Sequence, residues 1–391
     1  MTPSGPSPAA TVLDPLSQAE PWATYAECRA APAPFASGDG SWFLFGYDDV
    51  RRALTDRAFA VDMPFRTTRR AFGPSMVDVD GPAHKKLRRG TAHPLKMRLQ
   101  DVPGVVVRIA GALLDELPDG EPVDLVAAFA VRLPVQVFCW VMGLPIAEAD
   151  WWYTALRPLI DHVDQGAVGV TAVTTQRRRL IDTMRARLDA DAVDRSGVLP
   201  FLVGVRDDLD VSPVAVLSNS LMLMAAGTET TGLALANLAA ILLSRPGRMA
   251  ALRSDASLVP AVVQESLRID PPLHVILRVA GADTRVGDVV VPKGSVVQLC
   301  LASANRDQRR FTEPDTWNPH RDESRALTFG FGRHSCLGSD LAVLELETAL
   351  RVLLDRTSDI AAVGPVPRPA GRSFRGVRTL PVRLTKQRPA R

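Results

Sequence analysis

The sequence has little cysteine: four in 391 residues (Cys28, Cys139, Cys300 and Cys336), far apart and with no C-x-x-C pair. That excludes a disulfide framework and a zinc site built on paired cysteines, and it points to a reducing compartment. Concentrated charge is lacking too. The formal net charge is +3 and the lysines and arginines are scattered rather than run together, so nothing marks a nucleic-acid partner. The first thirty residues open on Met-Thr-Pro-Ser-Gly-Pro-Ser-Pro and then mix charged with apolar side chains. They carry neither the basic and apolar regions of a secretory leader nor a membrane anchor. The expectation is a cytoplasmic protein with no membrane partner. No repeat, low-complexity tract or interdomain linker interrupts the chain, which predicts a single domain over residues 1–391.

What is present is a large apolar fraction, 46% against 23% charged, ordinary for a globular protein with a substantial core. The segment Pro213–Leu243 is long enough, at about 1.5 Å per residue in a helix, to cross a bilayer. Its interior holds Ser218, Asn219, Ser220, Thr228, Glu229, Thr230, Thr231 and Asn237, and a carboxylate at mid-span is costly in lipid. A helix buried inside a large domain is predicted instead, capped by Ser212, started by Pro213 and stopped at Arg245-Pro246-Gly247. Residues 35–46 read as a hairpin about Gly-Asp-Gly, and Val286–Leu301 as another about Pro292-Lys293-Gly294. Most of the rest is helical in pattern. The predicted fold class is mainly α with small peripheral β-sheets.

The strongest chemical signal is Phe329-Gly330-Phe331-Gly332-Arg333-His334-Ser335-Cys336-Leu337-Gly338, followed by an apolar-periodic helix. Glycines on both sides of Cys336 let the backbone pass close to something flat. The helix that follows aims its N-terminal N–H groups at the sulfur, which favours thiolate over thiol. A lone cysteine is ordinarily a small buried hydrophobe; this context makes it a metal ligand instead. At these residues the chain resembles the cytochrome P-450 family, whose haem-binding loop F-x-x-G-x-x-x-C-x-G is matched by Phe329, Gly332, Cys336 and Gly338. The resemblance implies the cytochrome P-450 fold, haem b as cofactor, Cys336 as its iron ligand, and Phe329 and Gly338 beside the ring. A cysteinate ligand favours O–O cleavage.

Three further segments extend the resemblance, in the right order. Glu265-Ser266-Leu267-Arg268 matches the family's E-x-x-R, the only such spacing here. Residues i and i+3 share a helix face and can pair, although most such pairs are surface salt bridges of about 0–1 kcal/mol. With Arg321, in Pro314-Asp315-Thr316-Trp317-Asn318-Pro319-His320-Arg321, the resemblance implies a structural Glu-Arg-Arg network; Trp317 departs from the usual phenylalanine. Ala226-Gly227-Thr228-Glu229-Thr230-Thr231 lies mid-helix, where glycine and hydroxyls loosen the ladder and make room for a ligand. On its own this segment reads as a hydrogen-bonded helix defect. The resemblance makes Glu229 and Thr230 the acid–alcohol pair that relays protons during oxygen activation. It likewise implies that His84, Arg88, Arg278 and His334 hold the haem propionates.

The implied function is a haem-thiolate monooxygenase that places one oxygen atom of O2 in a small hydrophobic molecule, in secondary-metabolite biosynthesis. Electrons would come from a separate ferredoxin and its reductase, with Lys85, Lys86, Arg89 and Arg333 as a basic docking patch. The pocket walls would come from segments 65–72, 151–170, 221–225, 273–277 and 373–374, mostly apolar, with Arg66 and His274 as candidate polar anchors. Two alternatives stand beside this reading. One is a peroxide-using or isomerising haem-thiolate enzyme, against which Glu229 and Thr230 argue. The other is a haem or ligand carrier without turnover.

Overall fold

The computed structural model describes residues 19–31, 33–37, 40–166, 168–321, 325–369 and 371–387. Helices dominate, as expected, and the strands form small sheets. The helix Pro213–Leu243 runs through the middle of the molecule. Ser212 Oγ accepts the Ala215 N–H at 3.2 Å, which supplies the expected cap. Among the described residues this is the one helix long and apolar enough to cross a bilayer, and 78% of its most apolar stretch is buried inside the protein. Around it pack the helices Arg132–Met142, Ala149–Gln165, Val170–Asp189, Val259–Ile269 and Ser339–Arg356. One core cluster takes side chains from Ala71 to Leu384.

The strands only partly follow the sequence expectation. Phe35–Ala36 pairs antiparallel with Trp42–Leu44, as predicted, while the expected turn residues Gly38 and Asp39 lie outside the described residues. The second hairpin is a correction. The turn at Pro292-Lys293-Gly294 exists, but Val296–Cys300 does not pair with the strand before it. It lies between Trp42–Leu44, parallel, and Val275–Ala280, antiparallel. The local hairpin is instead Thr284–Val286 with Val289–Val291, closed at Gly287 with φ +57°. Val296–Cys300 is buried on both faces over Val297–Cys300, and burial on a neighbouring sheet outweighs the shorter loop closure to its predecessor.

This arrangement delivers the segments the chemistry needs. The strand Val275–Ala280 ends the connection from the E-x-x-R helix Val259–Ile269 and carries Arg278 inward, 3% exposed. The helix Thr67–Phe72 packs on Ala149–Gln165, Val170–Asp189 and the central helix. Leu273 and Phe374 meet in an isolated bridge, and the Asp164 carboxylate accepts the Ser373 and Phe374 N–H groups at 2.8 and 3.0 Å. Four of the five expected pocket-wall segments are thereby joined to the central helix or to one another.

Candidate functional site

The cysteine loop is a tight structure of its own. The Cys336 N–H donates to the Phe329 carbonyl at 2.7 Å and the Ser335 N–H to Gly332 at 3.0 Å. Gly332 sits at φ +77°, and a Cβ there would meet Thr55 Cγ2 at 3.1 Å, so both conformation and space require glycine. Gly338 is different: its φ is −95°, and a Cβ would meet no protein atom within 4 Å. Glycine at 338 leaves a surface beside Cys336 that a side chain would fill. The Cys336 side chain itself is solvent-accessible.

The surroundings of the sulfur pull both ways. Desolvation by the atoms packed about it pushes the Cys336 thiol up, and the Gly338 N–H and Arg88 pull it down. The helix Ser339–Arg356 begins three residues beyond the cysteine. A bound cation is what makes a thiolate here, because coordination deprotonates a thiol outright.

Beside the loop lies a group of basic side chains from three different elements. Arg88 Nη1 donates to the Ser335 carbonyl at 2.9 Å and Nη2 lies 3.3 Å from Ser335 Oγ. The rings of His84 and His334 are 4.2 Å apart. His334 Nε2 is 2.9 Å from Asp80 Oδ1; burial brings His334 down to about 4 despite that carboxylate, so at neutral pH the contact is a hydrogen bond rather than an ion pair. Burial, with Arg66 and Arg333 nearby, pushes Arg278 down to about 9. Its Nε has no partner and its Nη1 reaches only the neighbouring Leu277 carbonyl. Arginine keeps its proton at neutral pH, so the depression measures how much the site gains from an incoming anion. His84, Arg88, Arg278 and His334 therefore do come together.

The central helix shows one break in its burial. From Val216 to Ala240 every residue is buried except Ala226, which is exposed, and Gly227 and Thr230, which are half-buried. Positions i and i+4 share a face, so Ala226 and Thr230 form a small accessible patch, with Thr230 Oγ1 donating to the Ala226 carbonyl at 2.7 Å. Gly227 does not loosen the helix as expected. The helix is continuous, and a Cβ at 227 would lie 2.0 Å from the Phe138 ring, so glycine there serves helix packing. Glu229 is buried, 7% exposed, and pairs with two arginines: Arg157 Nη1 at 2.8 Å and Arg378 Nη1 at 2.7 Å. Neither arginine was marked by the sequence, since their approach to Glu229 is purely tertiary.

Glu265 and Arg268 form the expected buried fork, with contacts of 2.7 and 2.8 Å, and Arg321 Nε joins at 3.4 Å. Trp317 adds a tie of its own, Nε1 to Ser266 Oγ at 3.2 Å. Three expectations fail. Arg66 is bound to Asp78, 3.5 Å, and to the Val77 carbonyl, 2.5 Å, among the basic groups rather than in a substrate wall. His274 lies against Tyr25, its Nδ1 3.2 Å from the phenol oxygen, and beside Trp22. In the basic patch Lys86 is held by Asp210 at 2.6 Å and Arg333 by Asp80 at 3.0 Å, which leaves Lys85 and Arg89 exposed.

An accessible sulfur, a glycine surface beside it, and a buried arginine without an anion fit the iron, the flat ring and the carboxylates of haem. Among the described residues no cluster of histidine, cysteine and carboxylates could hold a metal otherwise.

Known proteins carry the same pattern. A family model described as Cytochrome P450 matches residues 154–358. The chain is 33% identical over 369 residues to cytochrome P450 105A3 of Streptomyces carbophilus, covering 90% of this chain and 88% of that one. It is 32% identical to the cytochrome P450 monooxygenase PikC of Streptomyces venezuelae, covering 98% and 96%. The structure of the P450 monooxygenase TamI with tirandamycin C bound superposes with a TM-score of 0.81 at 31% identity, over 94% of this chain and 98% of that one.

Proposed function

From the premise that the chain belongs to the cytochrome P450 family and is an oxidoreductase of its monooxygenase type, we propose that it hydroxylates or epoxidises a small hydrophobic molecule of secondary metabolism. The proposal takes the chain as one cytoplasmic domain that binds haem b on Cys336 and is reduced by a ferredoxin with its reductase. The overall reaction consumes O2, two electrons and two protons, leaves one oxygen atom on the substrate and releases the other as water. When bound, the haem supplies the oxygen chemistry, with thiolate ligation favouring O–O cleavage.

The protein's own part is to ligate, to hold charge and to move protons. Cys336 provides the sulfur, Phe329 packs beside it, and Gly338 keeps the adjoining surface clear. Arg278 and Arg88, with the His84 N–H, receive the carboxylates, while His334 stands beside them with its Nε2 held by Asp80. Thr230 offers a hydroxyl on the accessible patch, one residue from Glu229. In the present geometry both oxygens of Glu229 are held by arginines, Arg157 and Arg378, so one of these pairs must open before the side chain can reach another partner. The observation that carries the reading is that patch: a buried helix exposes a threonine next to a carboxylate and nothing else polar. A carrier without turnover has no use for a hydroxyl on that patch. Lys85 and Arg89, with Phe331 40% exposed under Arg51 at 4.6 Å, offer a ferredoxin a basic surface with an aromatic centre.

Two measurements test this. The ferrous carbon monoxide complex should show the red-shifted Soret band of a thiolate ligand, and Cys336→Ser should lose it, since a hydroxyl is a poor ligand at neutral pH. With a ferredoxin system and labelled O2, one labelled atom should enter the product; label-free product, or product formed without reductant, would overturn the monooxygenase reading.

A further inference from the structure

Asp80 stands in the N-cap position of the helix Gly81–Arg98, yet its side chain makes no capping bond. It turns the other way. Oδ1 accepts from Arg333 Nε at 3.0 Å and meets His334 Nε2 at 2.9 Å, and Oδ2 accepts the Val61 N–H at 2.9 Å. A carboxylate is thus built into the place where the cofactor's own carboxylates belong. Burial would raise its pKa, but those hydrogen bonds together pull it down to about 2, so it is ionised throughout the working range.

The charges around it match the ligand. Four arginines belong to the group: Arg66, Arg88, Arg278 and Arg333. Asp78 is fully buried and is held by Ser75 Oγ at 2.7 Å and by Arg66 at 3.5 Å; Asp80 holds Arg333. The His84 and His334 rings lie 4.2 Å apart beside these charges. We propose that Asp80 is the positioning residue that sets this charge balance: with Asp78 it cancels two of the four arginines, leaves two positive charges for two cofactor carboxylates, and so fixes the one-electron potential of the iron ligated by Cys336.

The inference rests on haem at Cys336 and predicts the sign of two substitutions. Reduction adds one electron and lowers the charge of the site by one. An extra uncompensated positive charge favours the ferrous form, and an extra negative charge opposes it. Asp80→Asn removes a negative charge, so its midpoint potential rises; Arg333→Leu leaves Asp80 without its arginine, so the potential falls. Removing both restores the balance.

The experiment is a spectroelectrochemical titration of the haem-loaded protein at pH 8 with dithionite. Each single variant should change the ferrous-to-ferric ratio at fixed potential by about three- to tenfold, up to about 59 mV for one electron, in opposite directions. The double variant should return to the wild-type value, and Asp80→Glu should keep it. Shifts of the same sign, no shift, or a double variant displaced from wild type would overturn the proposal. If Asp80→Asn binds no haem, recovery of haem in the double variant supports the charge balance, and failure to recover it refutes it. A wild-type protein without the thiolate spectrum would instead count against haem on Cys336.

Discussion

Replacing Glu265 by alanine removes one carboxylate on which four donors from three residues depend. Arg268 reaches it through Nε at 2.7 Å and Nη2 at 2.8 Å, Arg321 through Nε at 3.4 Å, and the Asn318 N–H at 2.9 Å. Arg268 is 2% exposed, and the Arg321 side chain is 5% exposed. Both guanidiniums keep their charge, because arginine does not deprotonate in proteins. Arg268 is then left with neutral carbonyls, those of Asn305 and Pro314 at 2.8 Å and of Thr316 at 3.3 Å, and Arg321 still reaches the Glu313 and Thr316 carbonyls at 3.1 Å. Breaking a buried pair from one side costs about 3–5 kcal/mol, chiefly because a buried charge is left uncompensated. Set against a total stability of about 5–15 kcal/mol, that is a large share. Glu265→Gln keeps the shape and one acceptor oxygen but loses the charge and turns the other oxygen into a donor, so it should lose less than Glu265→Ala and more than nothing. The assay is urea unfolding of the apo-protein followed by circular dichroism, with haem content measured in parallel. If Glu265→Ala lost under 1 kcal/mol and bound haem normally, the network would not be the anchor the geometry makes it.

Thr230→Ala should keep haem and substrate binding but release more hydrogen peroxide per NADPH consumed; unchanged coupling would remove Thr230 from proton delivery. Glu229→Gln should slow turnover by about 10²–10⁴-fold, the usual loss for a general acid or base. Arg378→Leu, which leaves Oε1 of Glu229 only the 3.4 Å contact with Arg157 Nη2, should alter the pH profile of turnover while leaving haem content intact, and a profile identical to wild type would show that the ion pair does not gate the acid. Glu345 is 2% exposed, its Oε1 has no partner, and burial raises its carboxyl from the ordinary value of 4.5 to about 8. A raised acid stabilises the fold only while protonated. Wild-type stability should therefore fall relative to Glu345→Gln by about 1.4 kcal/mol per pH unit between about pH 4.5 and 8, then level off; parallel curves for the two proteins would disprove it.

The sequence by itself determined the parts whose physics is local. The cysteine loop was legible because Gly332 must adopt a left-handed conformation and Cys336 needs its glycine surface within a few residues. The central helix was legible from its length, its Ser212 cap and its polar interior, and Glu265 with Arg268 from three-residue spacing on one helix face. Asp80 was missed because an acid just before Gly-Pro reads as a helix cap, and nothing local says that it turns away from the helix toward His334, more than 250 positions on. Gly227 was misread for the same reason, since its neighbour Phe138 belongs to another helix. The pairing of Val296–Cys300 with two distant strands, the clamp of Arg157 and Arg378 on Glu229, and the diversion of Arg66 and His274 from the pocket all lie beyond helix or strand periodicity. So do the surroundings of Cys336: a helix start nearby suggested a thiolate, and the folded chain adds a desolvation that pushes the thiol up. Short-range spacing fixes which residues are available, but where charges are buried and which carboxylate meets which arginine depends on packing between elements far apart in the chain.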